Sequence, residues 1–400
     1  MKRVAVIGAG IAGISAAYYL ARAGYTVSVY EQERYPAMQT SRANGGQISV
    51  SNSEVWTTWA NVGRGIQWMF TKDAPLLIRP SLSLDKLSWL SKFILAVFSG
   101  NSARKTGETI QLGIKNRGLL RHLMSEENIS YNYSECGIVH IYKNPKYLQH
   151  AALMEELYRA NGCEWQLIGD QKLHRIDPTL KQIKNLTGAV WTPGDSVGDI
   201  HKFCHDLALK LKLNYKVNFH FNYRIQKIDL LLNEYDLIVV ANGVEAQHIG
   251  KQLGDRLNIY PVKGYSITID LDAVSQSYCP KVSLLDDEAK IVTSTLGNQL
   301  RVAGTAELDG YNRDIRRERV EPLLKWVETN LPGVSTKNYS SWACLRPMTP
   351  DMMPIVRRSQ TNSKVWYHCG HGHLGWTLSL ATANQLVTQI NDDIKIRMVS

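Results

Sequence analysis

Residues 2–20 read "KRVAVIGAGIAGISAAYYL", and this stretch decides the first part of the fold. The nearly continuous apolar run at 3–7 is typical of a buried parallel strand. Gly8, Gly10 and Gly13 follow as GxGxxG, and the alanine-rich stretch after them favours a packed helix. The opening of the chain therefore predicts a strand, a glycine turn and a helix in direct succession.

The next segment, "YTVSVYE" at 25–31, predicts a second strand that ends in an acid. Gly8 permits the tight turn, Gly10 lets the backbone approach a pyrophosphate, and Gly13 lets helix and strand pack closely. Glu31 follows the motif at about the 20-residue spacing expected of a ribose-binding acid. Because all these parts occur in order, they indicate dinucleotide binding rather than an ordinary glycine-rich turn.

Composition limits the broad class of protein. A chain of 400 residues exceeds what one hydrophobic core usually supports, so two domains are expected. With 44% hydrophobic and 20% charged residues, the chain reads as globular. The net charge of +10 is compatible with an acidic substrate, nucleic acid or an anionic membrane, and selects none of them. The isolated basic run at 313–319 is too little to indicate nucleic-acid binding, so no such partner is expected.

Cysteine usage and hydropathy suggest the cellular compartment. The six cysteines contain no CxxC pair, so we predict no metal site and expect reduced thiols in a cytoplasmic protein. The first strand begins almost at the first residue, which leaves no room for a signal peptide. No apolar run is long enough to span a bilayer. The body of the protein is therefore expected in the cytoplasm.

The segment after Glu31 bears on which dinucleotide is bound. An NAD enzyme would normally continue its parallel sheet, whereas this chain enters the polar loop "TSRANGGQIS" at 40–49. Its polar side chains offer hydrogen bonds to a pyrophosphate or a flavin ring, and its two glycines give the backbone close access. A surface loop is the alternative interpretation of this segment taken by itself.

Two later segments complete the predicted architecture. A buried strand, "YDLIVVANG", occupies 235–243, and a strand, glycine loop and helix follow at 365–387. The predicted helix start near Thr377 would direct its dipole at the flavin N1 and C2 carbonyl, where negative charge collects on reduction. We predict an α/β fold: a Rossmann-like FAD-binding domain assembled from discontinuous segments, with an inserted α+β substrate domain on a mixed, largely antiparallel sheet. The predicted boundaries are 1–50, 195–255 and 345–400 for the FAD-binding domain, and 51–194 and 256–344 for the substrate domain.

The motifs together have a specific resemblance. GxGxxG with Glu31, "SRANGGQIS", "YPVKGYSITI", "LRPMTPDMMPIV" and "GHGHLGWT" resemble the FAD-dependent D-amino acid oxidase superfamily, and within it the bacterial D-amino acid dehydrogenases of the small subunit type. The resemblance covers essentially the whole chain. It implies non-covalent FAD, and oxidative deamination of D-amino acids to 2-oxo acids and ammonia by hydride transfer from the α-carbon to flavin N5. It also implies an electron acceptor such as a quinone or another respiratory carrier.

The predicted cofactor contacts lie in the two glycine regions, the polar loop and the end of the later strand. They are Gly8, Gly10, Ile11, Ala12, Gly13, Glu31, Ser41, Arg42, Asn44, Gly45, Gly46, Gln47, Ile225, Ala241, Gly243, Gly372, His373, Leu374, Gly375, Trp376 and Thr377.

Three residues are predicted to serve the substrate. Arg346 is the predicted carboxylate partner, because a guanidinium matches a carboxylate in two hydrogen bonds, and the arginine at the matching place does this in the family. A structural pairing with Asp351 is the alternative. Tyr265 would present its hydroxyl to the substrate or pack between domains. His373 stands where the family usually has a small hydroxyl residue, so it changes substrate preference, donates to the ring or points away.

Residues 56–100 contain four tryptophans and several basic residues with helical apolar spacing. This composition suggests an element at a membrane surface, and an amphipathic helix that caps the inserted domain is the alternative. The resemblance implies peripheral contact with the cytoplasmic face of the inner membrane. Met352, Met353 and Arg357 replace residues that tend to be glycine in the family, which leaves the preferred substrate open.

Two other functions remain open at this point. An enzyme of the same superfamily would oxidise a cyclic or N-substituted amino acid, such as D-proline, a hydroxyproline or a sarcosine-like amine. A protein of another class would be a flavin-binding structural subunit of a larger oxidoreductase, without its own substrate site.

Overall fold

The structure is a computed structural model that describes residues 2–69, 75–79 and 83–399. The described strands are, in chain order, β1 (Arg3–Ile7), β2 (Thr26–Tyr30), β3 (Gln47–Ile48), β4 (Leu76–Ile78), β5 (Ile138–Tyr142), β6 (Gln166–Ile168), β7 (Gly188–Thr192), β8 (Ser196–Val197), β9 (Asn218–His220), β10 (Leu237–Val240), β11 (Tyr260–Asp270), β12 (Ser283–Asp286), β13 (Ile291–Leu296), β14 (Gln299–Leu308), β15 (Tyr339–Met348), β16 (Ile355–Arg358) and β17 (Val365–Cys369). The described helices are α1 (Ile11–Arg22), α2 (Trp59–Met69), α3 (Leu84–Phe98), α4 (Ser102–Glu127), α5 (Pro145–Ala160), α6 (Asp170–Ile176), α7 (Ile200–Asn214), α8 (Asp229–Glu234), α9 (Ala246–Gln252), α10 (Ala273–Tyr278), α11 (Arg317–Asn330) and α12 (Gly375–Val399).

The first sheet has the strand order β16-β17-β10-β1-β2-β9. All its neighbouring strands are parallel except β16, which pairs antiparallel with β17. One core, with residues from α1, α7 and α12, covers one face, and a second core, with residues from α8 and α9, covers the other. Burial on both faces explains why β10 is apolar along its whole length and β1 is apolar from Val4 to Ile7. The prediction of a Rossmann-like domain assembled from distant segments is confirmed.

The second sheet has the order β15-β11-β14-β13-β12-β5-β7-β6, with β4 beside β14. The pairs β5–β12 and β4–β14 are parallel, and the other pairs are antiparallel. Helix α11 buries Val320, Leu323 and Trp326 in the core on one face of this sheet. The mixed, largely antiparallel sheet predicted for the inserted part of the chain is confirmed.

Helix α4 connects the two parts. The predicted boundaries place it in the substrate domain, yet Leu120 and Leu123 pack in the core of the first sheet. Its Asn116 amide oxygen accepts the backbone N–H groups of Leu380 and Ala381 in α12, at 2.8 and 3.2 Å. The boundaries themselves stay a prediction.

The tryptophan-rich segment forms α2, β4 and α3, and its tryptophans have different environments. Trp89 is buried, and its indole N–H donates to the Met348 carbonyl at 2.8 Å. Trp59 is 55% exposed and contacts the exposed ring of Phe98. The segment therefore packs on the second sheet with one side and faces outward with the other. None of the helices in the described part of the chain has the length and apolar character to cross a bilayer.

Candidate active site

A cavity of about 1040 Å³ is lined by residues of both sheets and of the segment before α4. Both glycine regions, the polar loop, Arg346 and His373 border it. Residues from opposite ends of the sequence thus surround one space.

Glu31 is fixed at the end of β2. The Ala9 N–H donates to one carboxylate oxygen at 2.7 Å, and the Glu33 N–H donates to the other at 3.0 Å. Burial raises the pKa of the Glu31 carboxyl, and the backbone hydrogen bonds from Ala9 and Glu33 oppose that rise. Each carboxylate oxygen keeps acceptor capacity for a ribose hydroxyl.

The three motif glycines are required for different reasons. A Cβ at Gly13 would lie 1.8 Å from the Gly8 carbonyl oxygen, so close packing of the chain itself excludes a side chain there. Gly8 has φ +100°, which a side chain disfavours. Among the described residues, the atom that a Cβ at Gly10 would approach is the Ser41 hydroxyl oxygen, at 3.5 Å. The protein therefore leaves free space above Gly10, which is the place where a pyrophosphate would approach the backbone.

The polar loop lies on the second sheet, whose side chains hold its carbonyl groups. The Ser266 hydroxyl donates to the Ala43 carbonyl at 2.6 Å, Arg301 donates to the Asn44 carbonyl at 3.0 Å, and the Ser294 hydroxyl donates to the Gly45 carbonyl at 2.7 Å. Because the carbonyl groups are occupied on the sheet side, the position of the loop is set by the substrate domain. It is thus an ordered wall of the cavity and not a free surface loop.

The second glycine region leads into α12, whose first residues Gly375 and Thr377 border the cavity. The Ser49 N–H donates to the Thr377 hydroxyl at 3.1 Å, which ties the end of the polar loop to this helix start. A helix N-terminus carries partial positive charge. The arrangement therefore suits an electron-rich ring at this end of the cavity, as the sequence indicated.

Two buried histidines join the two glycine regions. The His368 Nδ1–H donates to the Ala12 carbonyl at 3.1 Å, so its unprotonated Nε2 accepts the Thr382 hydroxyl at 2.8 Å. The Thr382 oxygen in turn accepts the Nε2–H of His371 at 2.9 Å. Burial lowers the pKa of His368 to about 4 and that of His371 well below its usual value, so both rings are neutral at pH 7.

These histidines predict a loss of stability in mild acid. Burial also lowers the pKa of His373 to about 4, so the unfolded chain binds up to three more protons than the native protein as the pH falls from 6.5 towards 4. Each histidine lowers the free energy of unfolding by up to about 1.4 kcal/mol per pH unit in this window. Urea unfolding of the holoprotein at pH 7, 6 and 5 measures the slope. We expect His371→Gln, which keeps a donor for Thr382, to reduce the slope by the contribution of one histidine, up to about 1.4 kcal/mol per pH unit.

An exposed histidine of α7, His205, is the matched control. His205→Gln should change the slope less than His371→Gln does. An equal slope in wild type and His371→Gln would contradict the assignment of neutral, buried rings.

Arg346 lies on β15 and borders the cavity without a carboxylate partner among the described residues. One guanidinium nitrogen donates to the Thr305 carbonyl at 2.8 Å. A Cβ at Gly264 would lie 2.3 Å from the guanidinium carbon, so this glycine provides the space that the group occupies. The alternative pairing with Asp351 is not formed, because Asp351 pairs with Lys105 at 3.0 Å. A half-buried guanidinium that lines a cavity and lacks an anion suits a ligand carboxylate.

His373 forms a flat wall near Arg346. Its ring stacks on Trp56, with 5.0 Å between centroids and 19° between planes. Burial, and then the charge of Arg346, lower its pKa. Its Nε2 atom is buried and has no partner among the described residues.

Tyr265 borders the cavity, but its hydroxyl is used elsewhere: it donates to the Glu307 carboxylate at 2.7 Å. The ring of Tyr265 lies with Lys263 on one face of β11, while Gly264 and Arg346 meet on the other. The Tyr265 ring and the guanidinium of Arg346 therefore lie on opposite faces of β11, and the role of Tyr265 towards a substrate stays a prediction. Strand alternation showed which residues share a face, but not which face borders the cavity.

The structure brings most of the predicted cofactor contacts together around the cavity. The exceptions are Gly13, which packs against Gly8, Gly46, which packs against Ser294 and Leu296, and Arg42, whose guanidinium lies 4.5 Å from the Trp342 ring. Sequence reasoning missed Thr305, Asn242 and the role of Gly264, although Asn242 lies in "YDLIVVANG" and Gly264 lies in "YPVKGYSITI". The described residues contain no group of three or more His, Cys, Asp or Glu side chains that could hold a metal ion.

Four buried polar atoms of residues that line the cavity lack hydrogen-bond partners among the described residues: Asn242 Oδ1, Thr305 Oγ1, His373 Nε2 and Trp376 Nε1. With the space above Gly10, the fixed Glu31 and the start of α12, they fit a long dinucleotide with a polar ring system. Fold and site define a two-domain, dinucleotide-dependent oxidoreductase. The chain belongs to the FAD dependent oxidoreductase (DAO) family, whose profile matches residues 3–389. FAD is therefore the cofactor that the residues of this cavity fit.

The chain is similar to several curated proteins and solved structures. The chain is 43% identical to D-amino acid dehydrogenase 3 of Mesorhizobium japonicum, over 99% of this chain and 98% of that protein. It is 34% identical to a D-amino acid dehydrogenase of Dechloromonas aromatica, over 97% of both. Among solved structures, the glycine oxidase of Bacillus cereus aligns with a TM-score of 0.74 at 17% identity, covering 98% of this chain and 96% of that one. The L-proline dehydrogenase of P. horikoshii aligns with a TM-score of 0.74 at 16% identity, covering 98% and 94%. These structures share the fold.

Proposed function

We propose that this chain is a D-amino acid dehydrogenase that oxidises D-amino acids to 2-oxo acids and ammonia. The observation that carries this proposal is the unpaired guanidinium of Arg346, held over Gly264 in the cavity that fits FAD. The names of the relatives at 43% and 34% identity support the same reaction.

Each residue of the site has a defined task in this proposal. FAD, when bound, supplies the hydride acceptor. Arg346 binds the substrate carboxylate and thereby orients the α-carbon. His373 is neutral at pH 7 and, with Trp56, forms the wall beside that carboxylate. The substrate amine loses its proton to water before the hydride leaves the α-carbon, and the imino acid product is hydrolysed in water. The cavity thus acts through positioning and electrostatics.

The cofactor is held at two points by the chain. Backbone N–H groups at the start of α1, together with Glu31, would bind the pyrophosphate and ribose. The start of α12, tied to the polar loop by the bond between Ser49 and Thr377, would stabilise the ring when it carries negative charge. The proposal includes no covalent bond between FAD and a cysteine or histidine, so FAD is bound non-covalently.

Anaerobic flavin reduction tests the proposal. Purified holoprotein is mixed with D-amino acids, their L-enantiomers, and cyclic or N-substituted amines, and the visible flavin band is recorded. Bleaching by D-amino acids but not by L-amino acids supports the proposal. Bleaching by D-proline, hydroxyproline or sarcosine alone would assign the chain to secondary amines. A flavin that no amine bleaches would mark a cofactor-holding structural subunit.

We further propose a respiratory acceptor such as a quinone, reached through peripheral contact with the membrane. Support comes from an outward apolar face on α3, on which Leu84, Leu87, Leu95 and Phe98 are all more than half exposed. Trp59 of α2 continues this face, since its ring meets that of Phe98 at 4.8 Å. Exposed large apolar side chains that cluster in this way are typical of an interaction surface.

Vesicle binding tests the contact. Replacing both Leu87 and Phe98 with aspartate should lower binding of the holoprotein to anionic phospholipid vesicles at low salt about tenfold or more, because apolar burial is lost and negative charge is added. Sedimentation with the vesicles measures this. Leu153→Asp on α5 is the control, since Leu153 is 76% exposed but lies elsewhere. Equal binding of the double variant and the control would overturn the proposal.

A further inference from the structure

The surroundings of Arg346 indicate which D-amino acids the site accepts, and this inference rests on the proposed function. On β11, Val262 lies directly opposite Arg346 in the register. On β14, Ala306 follows Thr305, whose carbonyl binds the guanidinium, and Leu308 is the next residue on the same face. The sheet surface next to the carboxylate site is therefore apolar.

Strand β4 extends this surface. Leu76 pairs with Ala306 and Ile78 pairs with Leu308, and both β4 side chains border the cavity. Leu77 pairs with Glu307, on the opposite face, and does not border the cavity. Alternation along β4 thus directs two aliphatic side chains towards the space beside Arg346.

Aromatic residues enclose the same space. Trp89 and Phe93 of α3 stack on each other, with 5.5 Å between ring centroids, and pack with Val262 and Leu308 in one apolar cluster. Trp56 packs against this cluster and also stacks on His373, near Arg346. The carboxylate site and the apolar cluster are therefore adjacent parts of one pocket.

The charged side chains near β5 and β12, at another part of the cavity, partner one another. Glu54 accepts a hydrogen bond from His150 at 3.1 Å. Asp287 lies 3.1 Å from His140 Nδ1 and 3.2 Å from Lys290 Nζ, and it also accepts the Tyr142 hydroxyl. A charged substrate side chain would have to break one of these pairs to gain a partner. The free energy lost with the existing pair exceeds the free energy that the new pair contributes.

Arg64 is the cation in this region without a carboxylate partner among the described residues. It donates to the Asn61 amide oxygen at 2.7 Å, and its guanidinium lies 5.5 Å from the Tyr147 ring centroid. An acidic substrate side chain would have to use this group. D-glutamate is therefore the substrate that tests the preference for apolar side chains most directly.

We propose that the preferred substrates are D-amino acids with large apolar side chains, which lie against the apolar cluster formed by Leu76, Ile78, Val262, Leu308, Trp56 and Trp89. The side chain of D-leucine or D-phenylalanine replaces water there, and affinity rises with the apolar area that it buries.

Wild-type holoprotein gives the first test, by anaerobic flavin reduction with D-leucine, D-phenylalanine, D-alanine, D-arginine and D-glutamate. We expect apparent dissociation constants about tenfold or more below that of D-alanine for the two large apolar substrates. Calorimetric titration of the oxidised holoprotein with 4-methylpentanoate and with acetate gives a second readout without turnover, and the larger acid should bind at least tenfold more tightly. Preference for D-alanine, D-arginine or D-glutamate would overturn this inference and leave the proposed function intact. Reduction by none of the five would overturn both.

Variants on β4 test whether the preference for large apolar side chains arises at this strand. Ile78→Ala should raise the dissociation constant of D-leucine about fivefold or more and change that of D-alanine less than twofold. Leu77→Ala is the matched control on the same strand, and it should leave the ratio of the two constants at the wild-type value. Visible absorbance of bound flavin reports whether each variant is folded. An equal ratio in wild type and a flavin-containing Ile78→Ala variant would overturn the assignment of the pocket.

Discussion

Replacing Arg346 with alanine lowers kcat/KM for D-amino acids by about 30-fold to several thousand-fold, the range expected when one partner of a buried, hydrogen-bonded charge pair is removed. The guanidinium has no carboxylate partner among the described residues, so the substrate carboxylate would supply its counter-charge. Arg346→Lys should recover little of the loss, because an ammonium cannot form the paired hydrogen bonds of a guanidinium. Steady-state kinetics with an artificial electron acceptor measures the effect.

Gly264→Ala separates a misplaced guanidinium from a missing one. Its Cβ would lie 2.3 Å from the guanidinium carbon, so the group must move away while its charge stays in the cavity. We expect KM to rise about tenfold with a smaller change in kcat, since substrate binding is weakened more than the chemical step. Flavin content should stay normal in both variants. Full activity of a flavin-containing Arg346→Ala variant would exclude Arg346 as the carboxylate partner and favour a cofactor-holding subunit.

The parts of the fold that the sequence predicted are those that local patterns determine. The strand, glycine turn and helix at the N-terminus follow from short-range rules. Which side of a strand faces the cavity depends on the neighbouring strands. For this reason the sequence left open whether the Tyr265 hydroxyl meets the substrate or packs between domains, and in the structure it donates to Glu307.

In the substrate pocket, even more contacts join distant segments and cannot be predicted from local sequence patterns. Thr305 contributes a backbone carbonyl to Arg346, and no side-chain pattern in the sequence reports a carbonyl contact. The tryptophan-rich segment was interpreted as either a membrane surface or a helix that caps the domain. In the structure, Trp89 packs in the apolar cluster beside the site, while Trp59 faces outward. The segment thus has features of both interpretations, and its composition alone could not distinguish them. Such contacts depend on which distant segments meet.

Gly13→Ala and Gly10→Ala should fail for different reasons, and the contrast tests how the N-terminal motif works. At Gly13 the new Cβ would lie 1.8 Å from the Gly8 carbonyl oxygen, so the backbone of the turn or the helix must shift. Overpacking against backbone predicts a loss of about 3 kcal/mol or more in the free energy of unfolding, even when no FAD is bound. Urea unfolding of the protein, with and without added FAD, measures this loss.

At Gly10 the Ser41 hydroxyl oxygen, at 3.5 Å, is the one atom of the described part of the chain near the new Cβ, and the backbone already has an ordinary φ of −72°. Without FAD, Gly10→Ala should therefore stay within about 1 kcal/mol of wild type, the cost of a poorer helix cap. Its affinity for FAD should fall by about two orders of magnitude, because the methyl group occupies the space through which a pyrophosphate approaches the start of α1. Titration of the FAD-free protein with FAD, followed by flavin fluorescence, measures the affinity. Normal FAD affinity in Gly10→Ala would show that the cofactor does not approach the chain at this position.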